Sequence, residues 1–116
     1  MTIIYGIKNC DTMKKALRWL DENQIAYRFH DYRKDGLERE LLQQWLDQEG
    51  WENLVNKRGT TWRKLDSAEQ EDMPNRAVEL FQQHPAMIKR PLLVHENQIT
   101  LGFKAEIYQA LFQINK

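Results

Sequence analysis

Cys10 is the single cysteine of the chain, and it stands in Tyr5-Gly6-Ile7-Lys8-Asn9-Cys10-Asp11-Thr12, where a strand-like run gives way to a helical one. A cysteine near the N-cap of a helix faces free backbone N–H groups and the positive end of the helix dipole, and both favour the thiolate. Lys8 adds a positive charge nearby, while the Asp11 carboxylate opposes ionisation. The alternative is a small buried hydrophobe, a common role for a free cysteine. The strand-to-helix junction favours the reactive reading. Position 13, where a dithiol motif needs its second sulfur, is Met13. An adduct at Cys10 must therefore be resolved by an external thiol: glutathione, a glutaredoxin or a second protein.

Two other blocks carry groups that could hold an anion. Ile88-Lys89-Arg90-Pro91 precedes an apolar strand-like run, and the Arg90 guanidinium is a planar fork suited to carboxylates and oxyanions. The block from Asn56 through Lys57, Arg58, Gly59, Thr60, Thr61, Trp62 and Arg63 to Lys64 is basic and centres on a tight turn at Gly59. A solvated strand-edge arginine explains the first block equally simply, and a solvated surface explains the second more simply. Trp62 reads as an anchor that packs its loop. The three histidines, His30, His84 and His95, show no partnering pattern, and with one cysteine they make no structural zinc set.

The elements that must position these residues are legible from periodicity. Thr2 to Tyr5 is β-rich and closes at Gly6. Met13, Ala16, Leu17 and Leu20 recur at helical spacing after Cys10, and Asn23 is a plausible stop. Ile25 to Tyr32 alternates, which predicts a second strand and a right-handed β-α-β unit with parallel pairing. Leu41, Leu42, Trp45 and Leu46 mark a helix over Leu37 to Gln48, closed by Gly50. Trp51 to Leu65 mixes a short helix with the loop around Arg58 to Thr61, and Met73 to Gln83 is a helix with Pro74 in its first turn. Leu92 to Val94, the turn Glu96-Asn97 and Gln98 to Leu101 predict a hairpin. Lys104 to Ile114 predicts a last helix with Ile107, Leu111 and Ile114 on its core face.

This order predicts an α/β fold with a mixed four-stranded sheet and an α-helical insert between strands two and three. It matches a thioredoxin-like fold, in which a cis-proline opening the third strand faces the cysteine. By that analogy Pro91 is cis and Arg90 lies beside the Cys10 sulfur.

The totals limit the function. With 116 residues, one domain is expected, able to hold a core without disulfides. Seventeen basic and seventeen acidic side chains cancel, so the basic excess of a nucleic-acid-binding surface is missing and direct nucleic-acid binding is not expected. No apolar run approaches the ~20 residues of a membrane helix, and the opening residues carry no secretory pattern. A lone cysteine suits a reducing compartment. The expectation is a cytoplasmic monomer that does not touch membranes.

Tyr5 to Thr12, Arg58 to Arg63 and Ile88 to Leu92 together resemble the arsenate reductase (ArsC) and Spx family, and most closely its YffB-like branch. The resemblance spans nearly the whole chain. It implies one thioredoxin-like domain over 1–116 with a helical insert at about 37–88, a catalytic pair Cys10 and Arg90, and Pro91 as the cis-proline. Lys8, Asn9, Asn56, Arg58 and Pro91 are the expected substrate- or glutathione-binding residues. Family members that reduce arsenate hold it with three arginines. Here only Arg90 matches cleanly: the second place falls near Asn56, with Arg58 two residues on, and the third falls in Gly102-Phe103-Lys104. The implied activity is a glutathione-dependent thiol reductase with no bound cofactor or metal, using glutathione as cosubstrate or a glutaredoxin as partner. The alternatives are a glutathione- and glutaredoxin-coupled arsenate reductase and, in another class, an Spx-like regulator that binds RNA polymerase.

Overall fold

The computed structural model describes residues 1–113. Along the chain the elements are β1 (Thr2–Gly6), α1 (Asp11–Glu22), β2 (Arg28–Asp31), α2 (Tyr32–Asp35), α3 (Arg39–Glu49), α4 (Trp51–Leu54), α5 (Thr60–Lys64), α6 (Ser67–Glu71), α7 (Met73–Gln83), a 3₁₀ turn at Pro85–Met87, β3 (Leu92–His95), β4 (Gln98–Leu101) and α8 (Ala105–Leu111). They fall into two units, one built from Met1–Asp31 with the segment from Arg90 onward, the other from Tyr32–Lys89.

The first unit holds one sheet in the order β2-β1-β3-β4. β1 pairs parallel with β2, from Ile3↔Arg28 to Gly6↔Asp31, and antiparallel with β3, from Thr2↔His95 to Tyr5↔Leu92. β3 and β4 form the hairpin, from Leu92↔Leu101 to His95↔Gln98. Glu96 and Asn97 both take positive φ, 50° and 65°, as a two-residue primed turn requires. This is the thioredoxin-like, mixed four-stranded arrangement. Ile4, Met13, Ala16, Leu20, Leu93 and Tyr108 make a core from which water is fully excluded. Each large apolar side chain so buried contributes roughly 1.5–3 kcal/mol before entropy is counted.

Two expectations for this unit are corrected. The alternation from Ile25 holds, since Ile25, Tyr27 and Phe29 pack on the core, but the strand itself is only Arg28–Asp31. Pairing with β1 begins at Ile3↔Arg28, so residues before Arg28 lack a ladder partner, and Tyr32 starts α2 instead of ending the strand. In α8 the core face is Tyr108 and Leu111, continued by the C-cap residue Phe112, while Ile107 is 47% exposed. The phase is set by Tyr108, whose ring meets Phe103 at 4.8 Å and Trp19 at 5.6 Å edge-on. Ile107 is then one residue, about 100° of helix, away from that face. Ile114, expected on it, lies outside the described residues.

The Tyr108 hydroxyl is buried with no hydrogen-bond partner among the described residues, and burial raises its pKa. Its ring, not its hydroxyl, therefore supplies the stabilisation. Tyr108→Phe is expected to change unfolding stability by less than about 1 kcal/mol, or to raise it, because an unsatisfied buried polar atom is removed. Tyr108→Ala is expected to cost about 3–5 kcal/mol. Urea midpoints of the two variants check the contrast.

The second unit is helical. Leu42 and Trp45 of α3 and Met73, Val78, Leu80 and Phe81 of α7 are its buried faces. Gly50, at φ 80°, ends α3 with its N–H on the Leu46 carbonyl at 2.8 Å. The loop expected over Arg58 to Thr61 is narrower, because Thr60 and Thr61 already belong to α5. Trp62 stacks on Trp51 at 6.3 Å, with the Lys57 ammonium 5.4 and 5.8 Å from the Trp51 and Trp62 ring centres. Helix α6 was not anticipated. Its signal is Asp66 followed three residues later by Glu69, a capping pattern, and the Asp66 carboxylate accepts the Glu69 N–H at 2.8 Å. Among the described residues no helix is long and apolar enough to cross a membrane.

Candidate active site

The loop from β1 to α1 places Cys10 at the N-cap of α1, in extended backbone (φ −141°, ψ 126°). Ile7 is buried and anchors the loop, whereas Lys8 and Asn9 are exposed and Cys10 is half-buried. The Cys10 carbonyl accepts the Lys14 N–H at 3.0 Å, so the first helical bond is formed. The sulfur makes no side-chain cap hydrogen bond.

Opposing forces set its ionisation. Burial is the largest single influence and favours the neutral thiol; the Met13 N–H, the hydrogen bond and charge of Arg90, and the Thr12 N–H act against it. Together they win, and the Cys10 pKa lies below the ordinary thiol value. Asp11, expected to oppose ionisation, and Lys8, expected to assist it, are both exposed and do not figure among the groups acting on the sulfur. Water screens charges so placed.

Arg90 reaches the sulfur because it precedes β3 on the sheet. The Arg90–Pro91 bond is cis, as the fold analogy implied, and Pro91 is buried with its carbonyl accepting the Gly102 N–H at 2.9 Å. β3 pairs with β1, the strand leading to Cys10, and Tyr5↔Leu92 sets the end of that register. The first unit thus joins Cys10, Arg90 and Pro91 from two separate stretches of sequence.

The remaining expected residues are placed as follows. Asn56 and Arg58 belong to the second unit. There the Asn56 N–H donates to the Met87 carbonyl at 2.7 Å, and its side-chain oxygen accepts the Arg58 N–H at 3.3 Å. Asn56 is thus a builder of its own turn, and Arg58 is exposed. Phe103, in the stretch where an arginine is missing, packs edge-on against Tyr108. Among the described residues no three His, Cys, Asp or Glu side chains gather as a metal set. The sequence reading did not assign Gly6 or Met13 a part in the site, although Met13 contributes the amide with the largest favourable effect on Cys10.

The lowered pKa has a direct consequence. More of Cys10 is thiolate at neutral pH than of an ordinary cysteine, so its alkylation rate rises at lower pH. A rate–pH curve with iodoacetamide is expected to have its midpoint below that of the same cysteine in the chain unfolded by denaturant. A midpoint at or above that value would contradict the balance just described.

The model of the ArsC family matches residues 5–111. A solved structure titled YFFB protein is 48% identical, with a TM-score of 0.89, and the match covers 95% of this chain and 97% of that one. A solution structure of an arsenate reductase (ArsC) related protein from Brucella melitensis is 45% identical, with a TM-score of 0.76, covering 97% of this chain and 95% of the other. The global transcriptional regulator Spx 2 of Bacillus anthracis is 29% identical over 91% of this chain and 82% of its own length.

Proposed function

The chain belongs to the ArsC family, and from that premise we propose that it is a glutathione-dependent thiol reductase working through one nucleophilic sulfur. The observation that carries this reading is the pairing of Cys10 with Arg90 in a chain without a second cysteine. The Cys10 thiolate attacks one sulfur of a disulfide R–S–S–R′. A Cys10–S–S–R bond forms, and R′S⁻ leaves and takes a proton from water. A glutathione thiolate then attacks the R sulfur. The product R–S–SG departs, and Cys10 leaves as the thiolate that began the cycle. Arg90 lowers the energy of Cys10 as a leaving group by the same hydrogen bond that favours its thiolate. Lys8 and Asn9, exposed beside the sulfur in sequence, offer a cation and an amide to the carboxylates of the thiol partner.

Arsenate reduction is the close second reading, favoured by the name of the Brucella relative. It needs several convergent donors, because a compact oxyanion must approach a thiolate of like charge. Arg90 supplies one such fork, and Phe103, spent on the core, supplies none. Similarity to an Spx regulator favours a third reading, binding to RNA polymerase, in which Cys10 is regulatory or vestigial. The test is a turnover assay with a model disulfide and with arsenate, glutathione and glutaredoxin being supplied in both. Disulfide turnover is expected to exceed arsenate turnover widely. Equal or faster arsenate turnover would reverse the ranking, and no turnover of either with retention on polymerase would support the regulator.

A further inference from the structure

Gly6 ends β1, and its backbone does not call for glycine: its φ is not positive, unlike those of Gly36, Gly50 and Gly102. What calls for glycine is space. A Cβ built on Gly6 would meet the Met13 sulfur at 2.5 Å, its Cε at 3.0 Å and its Cγ at 3.3 Å. Real Cβ atoms essentially never come so close. The side chain of Met13 therefore lies against the bare backbone of β1. Methionine is flexible and could swing aside at an open site. Here it is fully buried in a cluster with Ile4, Ala16, Leu20, Leu93 and Tyr108, and protein interiors are close-packed, so a swing would have to displace these neighbours.

Met13 is also the third residue of α1 after the Cys10 N-cap, and its amide has the largest favourable influence on the Cys10 thiolate. Its side chain is seated on β1, and its backbone forms the first turn of the helix that Cys10 caps. We propose that Gly6 is a positioning residue for Cys10: its missing Cβ lets the Met13 side chain seat on β1, and that seat fixes the first turn of α1 against the sulfur. This deepens the proposed role of Cys10, and it explains both a glycine with ordinary φ and a methionine where a dithiol enzyme needs a cysteine.

The pH dependence of iodoacetamide alkylation tests it on the whole chain, with no glutathione present. The result is thus independent of which substrate the protein reduces. In Gly6→Ala the first turn is displaced, the midpoint rises by about half a pH unit and alkylation at neutral pH slows by about twofold, the loss of thiolate being partly offset by its higher nucleophilicity. In a Met13→Ala background the obstructing atoms are gone, and adding Gly6→Ala then leaves the midpoint where Met13→Ala alone put it. Additive shifts in the two backgrounds, or a folded Gly6→Ala protein with the native midpoint, would overturn the proposal. Met13→Leu covers the case in which Gly6→Ala does not fold. It is a swap that cores tolerate, yet a branched side chain cannot lie flat on β1. Its midpoint is expected to rise, and a native midpoint there would overturn the proposal equally.

Discussion

Incubated with oxidised glutathione, the protein is expected to gain one glutathionyl group, seen as a single step in intact mass, and Cys10→Ser is expected to gain none. The chain has no other thiol, so the effect is complete rather than graded. The Cys10 thiolate displaces one glutathione thiolate from the disulfide, and excess reduced glutathione reverses the exchange, returning the native mass. Steady-state disulfide turnover falls to the uncatalysed rate in Cys10→Ser, because a serine hydroxyl is not ionised at this helix start. Cys10 is half-buried at the N-cap and its side chain makes no cap hydrogen bond, whereas serine is a preferred N-cap residue, so the substitution is not expected to lower the melting temperature. Residual turnover in Cys10→Ser would remove the sulfur from the mechanism. An unmodified wild-type mass would leave the thiolate argument without its chemistry.

The second large effect is expected at Arg90. A hydrogen bond to a charged partner is worth roughly 1.5–3 kcal/mol. The sulfur is only half-buried, so the lower end applies: Arg90→Ala is expected to cut the thiolate fraction about tenfold at neutral pH, and because the less acidic thiol is the better nucleophile, adduct formation slows about fourfold. The sign reverses at high pH. Lowering a thiol's pKa also lowers the intrinsic nucleophilicity of its thiolate, with a Brønsted slope of about 0.4–0.5. Once Cys10 is fully ionised in both proteins, the Arg90→Ala thiolate reacts faster. The two rate–pH curves therefore cross, which a loss of fold would not produce. Arg90→Lys keeps the charge but loses the planar fork, and its curve is expected to lie nearer to alanine than to arginine. Superimposable wild-type and Arg90→Ala curves would show that the guanidinium does not act on the sulfur.

Several features were legible before the structure. The alternation from Ile25 and the helical spacing of Met13, Ala16 and Leu20 fixed which faces turn inward, because burial of apolar area is a local, periodic demand. The Glu96-Asn97 turn was legible because residues that tolerate positive φ announce hairpins. Helix α6 was missed although its Asp66–Glu69 cap stood in the sequence, since a five-residue helix shows no periodicity to support a cap. Ile107 was misplaced because the phase of so short a helix depends on which ring it must meet, here Phe103 and Trp19 against Tyr108.

By itself the sequence determined the chemistry available: one sulfur, at a strand-to-helix junction, without a partner cysteine. It also determined the order of elements that could carry that sulfur. Only the tertiary structure decided which groups act on it. Arg90 lies eighty positions from Cys10 in the sequence and reaches it because β3 pairs beside β1, while Lys8 and Asp11, its near neighbours in sequence, remain in solvent where water screens them. Electrostatic influence on a half-buried atom depends on distance and on excluded water, and neither is a property of sequence spacing.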